Sequence, residues 1–213
     1  MGVLGGTFDP PHIGHLVVAC EALWQLGLDE VRLVPAGRPP HKDDPAVASA
    51  ERRAAWLERA IADRPGLVVS LIEVHRDGPS YTADTLEAMA AAEPGVQLWF
   101  ILGADQLAEF PNWKAPERIL AAARLAVVAR GDVGQGDLDT LAQGVAPGRA
   151  DIVAVPVIGV SSSMIRERMA AGRPIGHLVP REVEQALIAE GLVPSPASLL
   201  KKPKKVPSPP RSI

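Results

Sequence analysis

MGVLGGTFDPPHIGHLVVACEALWQLG, residues 1–27, holds a short apolar strand, a glycine loop and a helix in that order. MGVL is short and wholly apolar apart from glycine, as a buried strand is. GHLVVACEALWQLG has helical periodicity and stops at Gly27. Gly5 and Gly6 let the backbone between them approach a ligand closely. A strand that feeds a helix through such a loop is the opening unit of a parallel α/β sheet.

The remaining chain repeats the alternation. Strands are expected at VRLVPA (31–36), LVVSLIEV (67–74), VQLWFILGA (96–104), LAVVAR (125–130) and DIVAVPV (151–157). Helices are expected at SAERRAAWLERAIADRPG (49–66), YTADTLEAMAAAEPG (81–95), PERILAAA (116–123), SSSMIRERMAAG (161–172) and PREVEQALIAEG (180–191). VQLWFILGA is almost continuously apolar, as in a central strand covered on both faces. This order predicts an α/β fold with a doubly wound, mostly parallel sheet. One domain is expected over 1–193. The Pro- and Lys-rich residues 194–213 are expected to form a disordered tail.

Composition narrows the functional classes. The 213 residues are 47% hydrophobic and 22% charged, which fits a soluble globular chain. Net charge is -3, and the tail holds Lys201, Lys202, Lys204, Lys205 and Arg211 without an acid. The body is therefore more acidic than the total, which disfavours a general nucleic-acid partner. No run is long enough for a membrane span. The lone Cys20 excludes an intrachain disulfide and fits a reducing, cytoplasmic setting. Its apolar neighbours predict a core position for the thiol. No signal-peptide pattern precedes the first strand.

The first loop carries the chemistry. It is neither G-x-G-x-x-G nor G-x-x-x-x-G-K-[ST], which argues against a dehydrogenase and a P-loop enzyme. His12 and His15 are three residues apart at a helix start and so share one side of it. Two histidines could begin a zinc site, but no third ligand stands nearby. They could cap the helix. Donation to phosphate oxygens fits best, because a helix N-terminus already favours anions.

GGTFDPPHIGHL (5–16) resembles the signature of the HxGH nucleotidyltransferase superfamily, whose members bind ATP and transfer its adenylyl group. Four further stretches, PPHK (39–42), RDGPSYTADTL (76–86), ILGADQLAEFPNWKAPERI (101–119) and VSSSMIRERM (160–169), extend the likeness. Together they resemble the bacterial nicotinate-mononucleotide adenylyltransferases, from Gly2 to about Val193. The family version of the last motif usually reads I-S-S-T-x-I-R. Val160 and Ser163 stand here for the isoleucine and threonine, keeping size or hydroxyl.

The resemblance implies a Rossmann-like fold and the reaction of ATP with nicotinate mononucleotide to give deamido-NAD and pyrophosphate. It implies ATP binding through Gly5, Gly6, Thr7, Phe8, His12 and His15 in the loop, through Gly103 and Asp105 after the central strand, and through Ser162 and Arg166. It implies nicotinate mononucleotide binding by Tyr81, Thr82, Trp113 and Lys42. His12, His15, Lys42 and Arg166 are the expected catalytic charges. Mg²⁺ is expected with the triphosphate, held by phosphates and water and not by a protein metal site. Alternatives are transfer to nicotinamide mononucleotide or to pantetheine phosphate, and a nucleotide-binding sensor without turnover. A homo-oligomer is compatible with the sequence.

Overall fold

The structure is a computed structural model that describes residues 1–38, 48–130 and 135–194. Six strands form one sheet: β1 (Gly2–Gly6), β2 (Val31–Pro35), β3 (Leu67–Val69), β4 (Leu98–Gly103), β5 (Ala123–Arg130) and β6 (Ala150–Val155). Their order across the sheet is β3-β2-β1-β4-β5-β6, and every neighbouring pair is parallel. Among the described residues the α-helices are α1 (Ile13–Gln25), α2 (Ala50–Ile61), α3 (Thr82–Ala92), α4 (Ala104–Glu109), α5 (Pro116–Ala122), α6 (Gln135–Val145), α7 (Ser162–Ala170) and α8 (Arg181–Ala189).

Both sheet faces are buried, and the strands alternate between them. In β4, Leu98, Phe100 and Leu102 join the core under α3, α4, α5 and α6, whereas Ile101 joins the core under α1, α2, α7 and α8. In β5, Leu125 and Val127 face the first set and Ala126 and Val128 the second. Side chains that point alternately up and down need an apolar residue at nearly every position when both faces are covered. That is why the central strands read as unbroken apolar runs.

Three details differ from the sequence reading. β3 stops at Val69, and the chain then turns, with the His75 N–H donating to the Leu71 carbonyl. The following apolar residues serve packing, since Ile72 rests against the α3–α6 core. α4 and α6 were not expected: α4 has six residues, too few to show a period, and α6 contains Gly136 and Gly144. Cys20 is exposed and not in the core. The buried stripe of α1 is Leu16, Ala19 and Ala22, and Cys20 lies about 100° around the helix from Ala19.

The reversal in strand order falls between β1 and β4. In open parallel sheets the crevice beyond that point is where ligands bind. Gly6 ends β1 and Gly103 ends β4 there. The tail from residue 195 and Lys42 lie outside the described residues.

Candidate active site

The β1–α1 loop is shaped by close packing. Phe8 has φ 52, in the left-handed region, and is 1% exposed. For a residue other than glycine that conformation costs about 1 kcal/mol, and such costs gather at functional loops. A β-carbon on Gly6 would lie 3.0 Å from the Phe8 ring, so only glycine fits above it. Phe8 in turn presents its ring edge-on to His15, with centroids 4.8 Å apart. Its side chain therefore supports a histidine and lines neither cleft described below.

His12 caps α1, and the two imidazoles stack with centroids 3.6 Å apart. The His12 backbone N–H donates to His15 Nδ1 at 3.1 Å. Nδ1 as acceptor places the proton of neutral His15 on Nε2. Helix capping and anion binding are thus compatible: one ring nitrogen caps, and the other is a donor. Gly14 fills the gap in the HxGH spacing for a steric reason. A β-carbon there would sit 3.1 Å from two atoms of the His12 ring.

α7 is pinned to the same loop. Ser162 Oγ donates to the Pro10 carbonyl at 2.9 Å, and Arg166 Nη1 donates to the Asp9 carbonyl at 2.9 Å. Ser161 caps α7 by accepting from the Met164 N–H. His12, His15, Ser162 and Arg166 therefore gather around a single loop although 154 positions separate the first from the last.

Behind the loop lies Arg53, only 1% exposed. It donates to the carbonyls of Thr7 at 2.6 Å, Ala36 at 2.6 Å and Ala48 at 3.2 Å. It thereby knits the loop after β1 to the loop after β2 and to the approach to α2. Burial pushes its guanidinium down from its ordinary value, while Asp9 and Glu51 pull it back up. Sequence reading missed Arg53, since an arginine on an amphipathic helix looks like its solvated neighbour Arg52.

Two clefts open on either side of the loop. The smaller, about 310 Å³, is lined by His12, Gly14, His15, Gly103 and the serines 161–163. The larger, about 700 Å³, is lined by Gly5, Gly6, Thr7, Tyr81, Thr82, Asp105 and Trp113. The expected ATP residues are thus divided. The histidines, Gly103 and Ser162 face one cleft, whereas Gly5, Gly6, Thr7 and Asp105 face the other. Gly103 and Asp105 nearly touch: a β-carbon on Gly103 would meet Asp105 Oδ1.

The larger cleft is built between α3 and α5. Tyr81 caps α3, its N–H donating to the Pro79 carbonyl at 3.1 Å, and Thr82 opens the helix. Trp113 packs against Phe100 and Phe110, with centroids 5.9 and 5.6 Å away. Arg118 on α5 grips Glu87 and Asp84 on α3, at 2.5 and 2.9 Å. At the rear, Thr85 Oγ1 donates to Glu73 Oε1 at 2.7 Å and accepts from Arg76 at 2.8 Å. Ser80 Oγ accepts from the N–H groups of Gly37 and Arg38. Ser80, Thr85 and Lys114 all sit inside motifs quoted above, but hydroxyls and lysines in loops carry no signal of their own.

No helix among the described residues is long and apolar enough to cross a membrane.

Comparison with known proteins identifies the family and the fold. Residues 3–168 match the model of the family described as cytidylyltransferase-like. A chain of Halalkalibacterium halodurans called "Probable nicotinate-nucleotide adenylyltransferase" is 42% identical over 193 residues, covering 90% of each chain. A chain of Roseiflexus sp. with the same description is 43% identical over 195 residues, covering 90% of this chain and 96% of its own. The solved structure of Plasmodium falciparum nicotinic acid mononucleotide adenylyltransferase complexed with APC superposes with a TM-score of 0.72 at 16% identity. It covers 90% of this chain and 95% of that one, which establishes the shared fold. The chain belongs to the cytidylyltransferase-like family and, within it, to the nicotinate-nucleotide adenylyltransferases.

Proposed function

We propose that the chain transfers the adenylyl group of ATP to nicotinate mononucleotide, releasing deamido-NAD and pyrophosphate. The observation that carries this reading is the β1–α1 loop as a common wall: imidazoles on one side, an aromatic-lined cleft on the other. ATP takes the histidine side, and the mononucleotide takes the side of Tyr81, Thr82 and Trp113. The indole of Trp113 offers a flat face for the pyridine ring.

The reaction is a displacement at phosphorus. An oxygen of the mononucleotide phosphate attacks the α-phosphorus of ATP. The bond from that phosphorus to the β-phosphate bridging oxygen breaks, and pyrophosphate leaves with the electron pair. The nucleophile is already an anion, so no general base is needed. What the protein must supply is alignment and positive charge. His15 Nε2–H, His12, Arg166 and Lys42 are assigned that task, and Ser162 holds Arg166's helix against the loop. Loss of one such donor costs about a hundredfold in rate, or about 3 kcal/mol. Among the described residues no group of three His, Cys, Asp or Glu could hold a metal. Mg²⁺ would be held by the phosphates of ATP and by water, and no step above runs through it. The site takes small molecules, and a reducing cytoplasm suits the single exposed thiol.

Assay of purified protein with ATP and, in turn, nicotinate mononucleotide, nicotinamide mononucleotide and pantetheine phosphate tests the proposal. Pyrophosphate release fastest with the nicotinate compound is the expected result. Equal or faster release with either alternative, or binding of both nucleotides without release, would contradict it.

A further inference from the structure

We infer that Arg53, which lines neither cleft, is a positioning residue for His15: its grip on the Thr7 carbonyl holds Phe8 in the left-handed form in which the Phe8 ring supports the imidazole. The effect on rate rests on the adenylyl-transfer reading. The placement of the imidazole rests on packing alone.

Arg52 and Arg53 are neighbours on α2 with opposite surroundings. Arg52 reaches outward to Glu190 on α8 at 2.5 Å, whereas Arg53 is 1% exposed. A guanidinium taken out of water is costly unless its donors are met. Here every nitrogen has a carbonyl: Nη1 donates to Thr7 at 2.6 Å, Nη2 to Ala36 at 2.6 Å and Nε to Ala48 at 3.2 Å. The planar fork meets carbonyls from three segments at once, which donors fanning from one lysine nitrogen cannot do.

The grip fixes more than a carbonyl. In a trans peptide the N–H points opposite to the C=O. The second carbonyl shows this: Ala36 C=O faces Arg53, and the Gly37 N–H beyond it donates to Ser80 Oγ at 3.1 Å. At the first, the plane of the Thr7–Phe8 peptide is set by Arg53, and φ of Phe8 is the rotation that starts from that plane. The φ of 52 is unfavourable for phenylalanine, so a released Thr7 carbonyl lets this peptide turn over and relieve it. Turning it over moves the Phe8 ring. That ring meets His15 edge-on at 4.8 Å, opposite in kind to the His12 ring stacked on it at 3.6 Å. Arg53 thus reaches His15 through one peptide and one aromatic ring.

Histidine Cε1–H resonances of wild type, Arg53→Met and Arg53→Lys, read beside kcat for pyrophosphate release and ATP affinity by calorimetry, test this. The His15 resonance is assigned by its disappearance in His15→Ala. In Arg53→Met it should shift as the Phe8 ring moves, while those of His75 and His177, on other segments, stay in place. In the same variant kcat should fall about tenfold or more, with ATP affinity within a few fold of wild type. Arg53→Lys keeps the charge without the fork and should change both readings in the same direction, and it carries the test where Arg53→Met does not fold. An unmoved His15 resonance in a folded variant, or a moved one with wild-type kcat, overturns the inference. So do equal shifts of all the histidines, or failure of both variants to fold, since either marks a general prop of the fold. Active wild type with an unmoved resonance overturns the role of Arg53 and leaves the reaction standing. Wild type that releases no pyrophosphate overturns the reaction, and the resonance still decides whether Arg53 places His15.

Discussion

Gly14 separates the two histidines, and the space a β-carbon would need is already taken by the His12 ring at 3.1 Å. Gly14→Ala therefore isolates function from folding. Alanine is worth about 1 kcal/mol over glycine in a helix interior, which offsets the cost of moving the His12 ring at this second position of α1, so the variant should unfold within about 1 kcal/mol of wild type. The displaced imidazole should lower kcat by about tenfold or more, because small misplacements of aligned groups are costly. Thermal unfolding beside a pyrophosphate-release assay checks both halves. Reduced stability with unchanged kcat would refute the steric account of this glycine. Arg53 shows what such spacing cannot reveal. Its three carbonyl partners, Thr7, Ala36 and Ala48, come from segments far apart in the chain, and nothing near Arg53 in the sequence announces them.

Elements are joined by side chains at the sheet edge. β6 is an edge strand, and an open edge invites pairing with another chain. Gln25 at the end of α1 covers part of it: its amide accepts from the Ala154 N–H at 3.0 Å and donates to the Ala154 carbonyl at 2.7 Å. On the same strand Asp151 accepts from Arg124 on β5 and from Trp99 on β4, at 2.8 and 2.9 Å. The Arg124 guanidinium, helped by the Trp99 N–H, holds the Asp151 carboxyl below its usual range. A carboxyl lowered on folding adds stability above its unfolded pKa, and that stability is lost as pH falls through the folded value. Asp151→Asn should therefore cost about 1 kcal/mol at pH 7, and the difference should shrink as pH falls below about 3.9 toward the lowered folded value. Urea unfolding at pH 7 and pH 3 measures it. A difference that persists unchanged at pH 3 would show that charge is not its source.

At the scale of the whole molecule, a parallel sheet with its strand order reversing beside β1 puts one loop between two clefts. Much of this was legible beforehand. Strand and helix alternate visibly because each covered strand must be apolar throughout, and the HxGH spacing marks the loop. Less legible was the division of labour. Gly5, Gly6 and Thr7 share a motif with His12 and His15 yet face the other cleft, since a loop that forms a wall has two sides and a linear motif has none. Cys20 misled because α1 is apolar beyond its buried stripe of Leu16, Ala19 and Ala22. The proposed reaction gives binding to both clefts and charge stabilisation to the wall, and His15→Ala separates the two most directly. ATP affinity of the variant, by calorimetry, should stay within a few fold of wild type, while pyrophosphate release with nicotinate mononucleotide should fall about a hundredfold. Release at the wild-type rate by His15→Ala would contradict the account.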